Sequence, residues 1–237
     1  MANSDFGIEK VVATSHWRVH TVPIGRDGKL YTVELCTDLL DGGASRTQDE
    51  WAKFSKAELN AGRYGYLSAP QIRGLVHVCR INKDNPKYDS SIREIQEFLK
   101  RQFSKHFLVT NSRVDYMPSG QDVVTYEYGL DGEHQVKATI LGPDEYIIKT
   151  KNPQGYHILF DTNDDPKEIN SDFVYLNGTN AYAWKVNSKP ESKETRVVRL
   201  DAYPYRFYVD CSGYLQVSNS VFGGKVFVEG DAPKTKQ

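Results

Sequence analysis

The residue types able to do chemistry crowd into one stretch near the end of the chain, LDAYPYRFYVDCSGYLQVSNSVFGG, from Leu200 to Gly224. Tyr203, Tyr205, Tyr208 and Tyr214 fall within twelve residues, with Asp201 and Asp210 among them. Tyr supplies wide, amphipathic contact area with few torsions to freeze, and Ser, Gly and Asn add adaptable hydrogen bonding. The chemistry this mixture suits is recognition rather than bond making. Read with period two, Leu200 and Ala202 share one side while Asp201, Tyr203 and Tyr205 share the other. Farther on, Phe207, Val209 and Cys211 make an apolar row, with Tyr208, Asp210 and Ser212 opposite it. The parity switches near Pro204 and Arg206, where a turn or bulge is expected because Pro cannot donate to a ladder. Ser212-Gly213-Tyr214 is expected to continue the exposed set through a turn. Positions 201, 203, 205, 208, 210, 212, 213 and 214 hold only Asp, Tyr, Ser and Gly, types reached from an AAC asparagine codon by changing adenines; Asn219 would be an unchanged copy. The plain alternative is that Tyr favours strands and its hydroxyl tolerates water.

Other chemistry finds less support. His16 and His20 have helical ligand spacing, but SHWRVH alternates like a strand and no Cys or acid stands nearby to complete a metal site. Cys211 with a remote His would form a nucleophilic pair, yet it falls on the inner row, where a structural thiol is expected. Asp164, Asp165 and Asp172 match no calcium loop and read as solvated acids. No nucleophile elbow, phosphate loop or dinucleotide fingerprint occurs. Cys36, Cys79 and Cys211 are odd in number and far apart, so reduced, buried thiols are expected. No catalytic residue, metal or cofactor is therefore assigned.

The chain has 237 residues, 39% hydrophobic and 26% charged, which suits one globular unit whose core needs no disulfide. Thirty basic residues against thirty-one acidic ones give a net charge of −1, which argues against a nucleic-acid partner. No run approaches the ~18 apolar residues of a membrane span, so membrane insertion is not expected. MANSDFGIEK lacks the build of a signal peptide. The expected location is the cytoplasm or an assembled particle such as a virion. Asn177-Gly178-Thr179 matches a glycosylation sequon but reads better as a turn.

The elements that must position the tyrosine stretch read as helices early and strands late. HWRVHTV (His16 to Val22) and LYTVELC, ending at Cys36, form a hairpin about Asp27-Gly28. Thr47 with Glu50, and Ser68 with Gln71 and Pro70, make capping boxes for two helices, the first stopping near Gly62. Ser91 and Glu94 are expected to cap a third, whose stripe is Ile92, Ile95, Phe98, Leu99 and Phe103. Past Phe107, VVTYEYGL, HQVKATIL, YIIKTK and YHILF read as short strands with corners at Asp131-Gly132 and Asn152-Pro153. The tail DAPKTKQ reads as frayed. This order suggests an α+β fold, and the absence of a linker suggests one domain over 1–237.

Over roughly its last 70 residues the chain resembles the variable proteins of diversity-generating retroelements, particularly the archaeal and archaeal-virus group. The segment EINSDFVYLNGTNAYAWKVNSKPESKETRVVRL, Glu168 to Leu200, supplies a turn-rich lead with Asn187-Ser188-Lys189-Pro190 and the pair Arg196-Val197. Phe207, Val209 and Cys211 match the fixed positions of the diversified region, which closes here with Phe222-Gly223-Gly224-Lys225-Val226 rather than the commoner Leu-Gly-Val. The resemblance implies a C-type lectin-like fold with small mixed or antiparallel sheets and two or three helices. It also implies a variable region over 196–226, no enzyme activity, and no general need for calcium.

The resulting reading is a binding protein that recognises an unknown protein or cell-surface ligand. Its contacts would come from Asp201, Tyr203, Tyr205, Tyr208, Asp210, Ser212, Gly213, Tyr214 and Asn219, with Trp184 and Phe207 as anchors beneath them. Two alternatives stay open. A formylglycine-generating-type oxidase on the same fold would need a paired-cysteine copper site. A structural protein would carry these tyrosines as ordinary strand residues.

Overall fold

The computed structural model describes residues 6–137, 141–184 and 189–228. Asn187, Ser188 and the tail DAPKTKQ lie outside the described residues. The first half follows its sequence signals closely. β1 (Ile8–Val11), β2 (His16–Pro23) and β3 (Leu30–Leu39) form an antiparallel meander in which His16 faces Cys36 and Val19 faces Val33. Both capping boxes are present. Thr47 caps α1 (Gln48–Asn60), and Ser68 caps α2 (Ala69–Ile81), which follows the short β4 (Gly65–Tyr66). In each, the cap side chain accepts a bond from the N3 amide while the N3 side chain accepts one from the cap's amide, satisfying two otherwise orphaned donors.

α3 (Asp89–Lys105) begins two residues before the expected cap, with Tyr88 at its N-cap position and no side-chain cap bond. Glu94, expected to complete a box with Ser91, instead accepts a bond from Lys10 on β1 at 2.7 Å. The stripe itself is as read: Ile92, Ile95, Phe98, Leu99 and Phe103 are all buried. β5 (Leu108–Tyr116), β6 (Val123–Tyr126) and β7 (His134–Lys137) then run antiparallel.

The second half departs from the expected string of strands. After β8 (Glu145–Tyr146), YIIKTK closes into a 3-10 turn at Ile147–Lys149 rather than extending. YHILF lies mostly in α4 (Pro153–Leu159): Pro153 occupies the first turn, where its missing N–H would be unpaired anyway. The lead from Glu168 to Leu200, which reads as turn-rich, opens in a helix, α5 (Pro166–Asn177). Asp165 caps it by accepting from the Lys167 amide, and Gly178 ends it at φ +79°. Ile169, Phe173 and Leu176 face the core with helical spacing. Five α-helices are thus present among the described residues, more than the two or three implied by the resemblance, and the α+β class holds.

β9 (Ala181–Trp184), β10 (Glu194–Tyr203), β11 (Arg206–Gly213) and β12 (Phe222–Val228) complete two sheets. One has the order β1-β2-β3-β12-β4, the other β7-β6-β5-β10-β11-β9-β8. β12 returns to the first sheet between β3 and β4. Gly224 permits this approach, since a Cβ there would lie 2.8 Å from the Glu34 carbonyl. The larger of two apolar clusters among the described residues runs from Phe6 to Phe222, and the smaller gathers about Trp51 and Tyr66. Within the larger, Phe207 of β11 stacks on Phe173 of α5 at 4.6 Å and meets Phe103 of α3 edge-on at 5.3 Å. Helices α3 and α5 therefore pack beneath the β10–β11 hairpin. A buried ionic group ties α2 to α5: Arg73 pairs with Asp172 at 2.7 Å, and Arg80 reaches the other oxygen of the same carboxylate at 2.7 Å.

Candidate functional site

The β10–β11 hairpin builds the site. Its register pairs Arg199 with Asp210, Leu200 with Val209, Asp201 with Tyr208, Ala202 with Phe207 and Tyr203 with Arg206. Directly paired residues share a face, so the strands sort cleanly. Leu200, Ala202, Phe207, Val209 and Cys211 all point inward and are buried. Arg199, Asp201 and Tyr203 look outward beside Asp210, Tyr208 and Arg206. The expected break at Pro204 is a two-residue turn, Pro204-Tyr205. Because such a turn keeps its flanking pair on one face, Arg206 joins the outer set. The period-two reading had left it out.

Neighbouring strands widen this face. β9 runs parallel to β11, placing Tyr182 beside Tyr208 and Trp184 beside Asp210, and β8 adds Tyr146 beside Tyr182. Phe107, just ahead of β5, approaches Tyr203 at 6.5 Å between ring centroids. Tyr208 sits at the centre of the rings. It meets Trp184 at 5.6 Å and 89°, Tyr203 at 5.4 Å and 85°, and Tyr205 at 6.4 Å and 90°. Edge-to-face pairs of this kind contribute ~0.5–1.5 kcal/mol each beyond burial. The guanidinium of Arg206 lies 4.7 Å from the Tyr182 centroid and 5.5 Å from that of Tyr208. Trp184, expected beneath the binding face, is half-buried and part of it; Phe207 is the buried anchor.

Between these rings lies a pocket of about 220 Å³, and Asp201 and Asp210 both line it. The two aspartates occupy the outer face but, contrary to the expected exposure, are only 5% and 6% accessible. Their surroundings differ. Asp210 pairs with Arg199 and accepts bonds from the Ser212 amide at 2.8 Å and hydroxyl at 2.6 Å. No hydrogen bond or ion pair from any described residue reaches the Asp201 carboxylate. Burial, and secondarily the charge of Asp210, push its pKa up to about 7 against the opposing pull of Arg199.

Asp201, Tyr203, Tyr205, Tyr208 and Asp210 thus share one pocket, and the other four expected contacts lie apart from it. Ser212 is half-buried against Asp210. A β-bulge between Val197 and Arg199 shifts the register and sets Gly213 opposite Val197. Gly213 is buried rather than exposed, and a Cβ there would lie 2.8 Å from the Val197 carbonyl. Tyr214 is 60% exposed, with Arg196 over its ring at 4.8 Å. Asn219 bridges to Arg46, and its carbonyl accepts a bond from the Trp51 indole at 2.6 Å, so it sits against α1. Sequence reasoning missed Phe107, Tyr146, Tyr182, Arg199 and Arg206. For Tyr182 and Trp184 the signal was present: in AYAW the rings alternate with alanines that fit the buried side of a strand.

The other chemical candidates resolve into structural roles. His16 is buried on β2, where its Nδ1 approaches the Tyr64 hydroxyl at 2.7 Å. His20 approaches the Thr32 hydroxyl at 3.1 Å. No cluster able to hold a metal occurs among the described residues. Asp172, expected to be solvated, is fully buried in the α2–α5 ionic group, and Asp164 pairs with Arg73 at 2.5 Å. Cys79 and Cys211 are buried and Cys36 is half-buried. Burial drives the Cys211 thiol far above its ordinary range, which removes the thiolate that nucleophilic attack requires. No helix among the described residues is long and apolar enough to cross a membrane.

No protein-family model and no curated protein matches the chain. Among solved structures, it is similar to a chain described as "Accommodation of massive sequence variation in Nanoarchaeota by the C-type lectin fold". The two are 12% identical, and the likeness covers 85% of this chain and 99% of the other at a TM-score of 0.38. A superposition that loose carries no argument about function.

Proposed function

We propose that this chain is a ligand-binding protein, built on a lectin-type scaffold, that presents the outer face of the β10–β11 hairpin to a protein or cell-surface target. We further propose that a retroelement diversifies that face. One observation carries the reading: the hairpin divides its residues by chemistry. The inner row is apolar and buried, and the outer row collects Asp and Tyr about a common pocket. Aromatic residues in such a setting supply most of the affinity in protein interfaces. Changes on the outer face leave the inner row and its contacts with α3 and α5 in place, which is what a diversified surface requires.

The encoding DNA provides the test. Diversification predicts a near-identical repeat close to the gene, carrying adenines where the codons for Asp201, Tyr203, Tyr205, Tyr208 and Asp210 differ, and an adjacent reverse transcriptase. The packing adds a finer expectation: variants sampled from a population should differ at Tyr203, Tyr205 and Tyr208 and rarely at Gly213. A flank lacking both the repeat and the reverse transcriptase would remove the diversification reading.

A further inference from the structure

Resting on that reading of the hairpin face, we propose that the pocket framed by Phe107, Trp184, Tyr203, Tyr205 and Tyr208 over Asp201 takes one organic ammonium group, of the kind a lysine side chain of a protein ligand presents. Three observations converge on it. First, the walls are aromatic, and Tyr208 stands at right angles to three of its neighbours, so a group in the pocket meets ring surface from several directions. Ring faces attract cations, most strongly when the site is shielded from water. Second, Asp201 is almost wholly buried, lines the pocket and has no hydrogen bond or ion pair within the described chain. A buried carboxylate without a partner is costly; any ammonium group would supply the charge it lacks, and a primary one, as in lysine, the donors as well. Third, neither nearby guanidinium forms an ion pair with Asp201: Arg199 pairs with Asp210 and lies over Phe107, and Arg206 lies over the rings of Tyr182 and Tyr208.

A sugar would also stack on these rings, and its hydroxyls would bond to the carboxylate. It would bring no positive charge to Asp201, for which Arg199 is shared with Asp210, and that is why the pocket favours a cation. About 220 Å³ accommodates the head of one side chain, and the adjoining cleft of about 570 Å³, which shares Phe107, Asp201 and Tyr203 with it, leaves room for the rest of the ligand.

The probes are choline, N-acetyl-lysine methylamide and its trimethylated form. The neutral control is 3,3-dimethylbutan-1-ol, which has the shape of choline without its charge; glucose and galactose form a further arm. Emission from Trp184 reports occupancy, with Trp184→Phe identifying its share beside the buried Trp17 and Trp51. The ammonium compounds should bind saturably, with the neutral isostere weaker by about tenfold or more. Asp201→Asn should weaken the ammonium compounds by about tenfold and leave the neutral isostere unchanged, the residual preference for the cation being that of the rings. Binding to the unmodified chain should also weaken as the pH falls through about 7, the value of Asp201. This second measurement applies even where the variant does not fold. The other charged groups facing the site are Arg199, Asp210 and Arg206, with Lys100, Lys105 and His106 in the adjoining cleft, so the pH profile is compared with that of Asp201→Asn where it folds. Equal binding of the neutral isostere, no ammonium binding, or saturation by a sugar alone would each overturn the inference. A template repeat found without ammonium binding removes the cation pocket and leaves the diversified face. Ammonium binding without a repeat does the reverse.

Discussion

Replacing Asp201 by Asn should stabilise the protein, and only above a particular pH. The carboxyl is held near pKa 7 in the folded chain, against about 3.9 in an unfolded one. Below about pH 4 both states are protonated, and the variant and the parent should be equally stable. Between about 4 and 7 the unfolded chain has released the proton and the folded one has not, so the parent loses stability relative to the variant as the pH rises. Above 7 the difference is complete. The full shift corresponds to roughly 4 kcal/mol, and allowing for the open mouth of the pocket a gain of about 2–4 kcal/mol is expected. In a chain of 237 residues that is a rise of about 5–10 °C in Tm. Scanning calorimetry of both proteins from pH 4 to pH 9 supplies the comparison, and the titration of groups remote from Asp201 cancels in the difference. A difference independent of pH, or a parent that gains on the variant as the pH rises, would show that a cation within the chain already compensates Asp201. The argument from an unpartnered carboxylate would then fail.

Tyr205→Ser should cost only about 0.5–1.5 kcal/mol, the worth of its edge contact with Tyr208, since the ring is otherwise 61% exposed, whereas Phe207→Ala two residues on should cost about 3–5 kcal/mol. Urea denaturation of both variants tests the division between the hairpin's faces, and equal losses would contradict it. Gly213→Ala forces a methyl against the Val197 carbonyl and should cost about 1–3 kcal/mol by the same assay; a neutral result would show that the strand relaxes there. Asp172→Ala removes the carboxylate that Arg73 and Arg80 share, leaving buried Arg73 with Asp164 alone, and should cost about 3–5 kcal/mol, with hydrogen exchange accelerated in both α2 and α5.

The site was legible in the sequence to the extent that it depends on local alternation. The inward row of Leu200, Ala202, Phe207, Val209 and Cys211 follows from period two, and the tyrosines opposite follow with it. Residues brought in by pairing were not legible. Arg206 reaches the outer face because the turn has two residues, and Tyr182 because β9 adds in parallel to β11, a register that no local pattern encodes. The burial of Asp201 and Asp210 was missed for a related reason. An acid opposite a core row reads as solvated, and here rings from three strands and from Phe107 rise around it. Helix errors had a different origin. In YHILF four apolar residues in five gave no periodicity by which to choose, and the preceding Pro153 was read as a corner although it equally opens a helix. In α5, Ile169, Phe173 and Leu176 carried a helical period that the short polar residues between them obscured.

The two faces of the hairpin work on different energy scales, and that difference makes variation tolerable on one of them. A ring on the outer face is held by edge contacts of ~0.5–1.5 kcal/mol, so exchanging it changes the pocket more than the fold. Phe207 is held between α3 and α5, and exchanging it opens a cavity. Asp201 fits neither description. It lies on the variable-looking face, yet it is buried, and as a carboxylate it destabilises the folded chain at neutral pH. A surface selected only for solubility or strand propensity has no reason to keep an acid there, because Asn or Ser would fill the space without a charge. Residues that break a local rule in this way concentrate where a protein contacts something else. The carboxylate that weakens the free protein is the group through which a cationic ligand would strengthen it. Binding and stability should therefore respond to Asp201→Asn in opposite directions, and a variant that gained in both would argue against a ligand at this pocket.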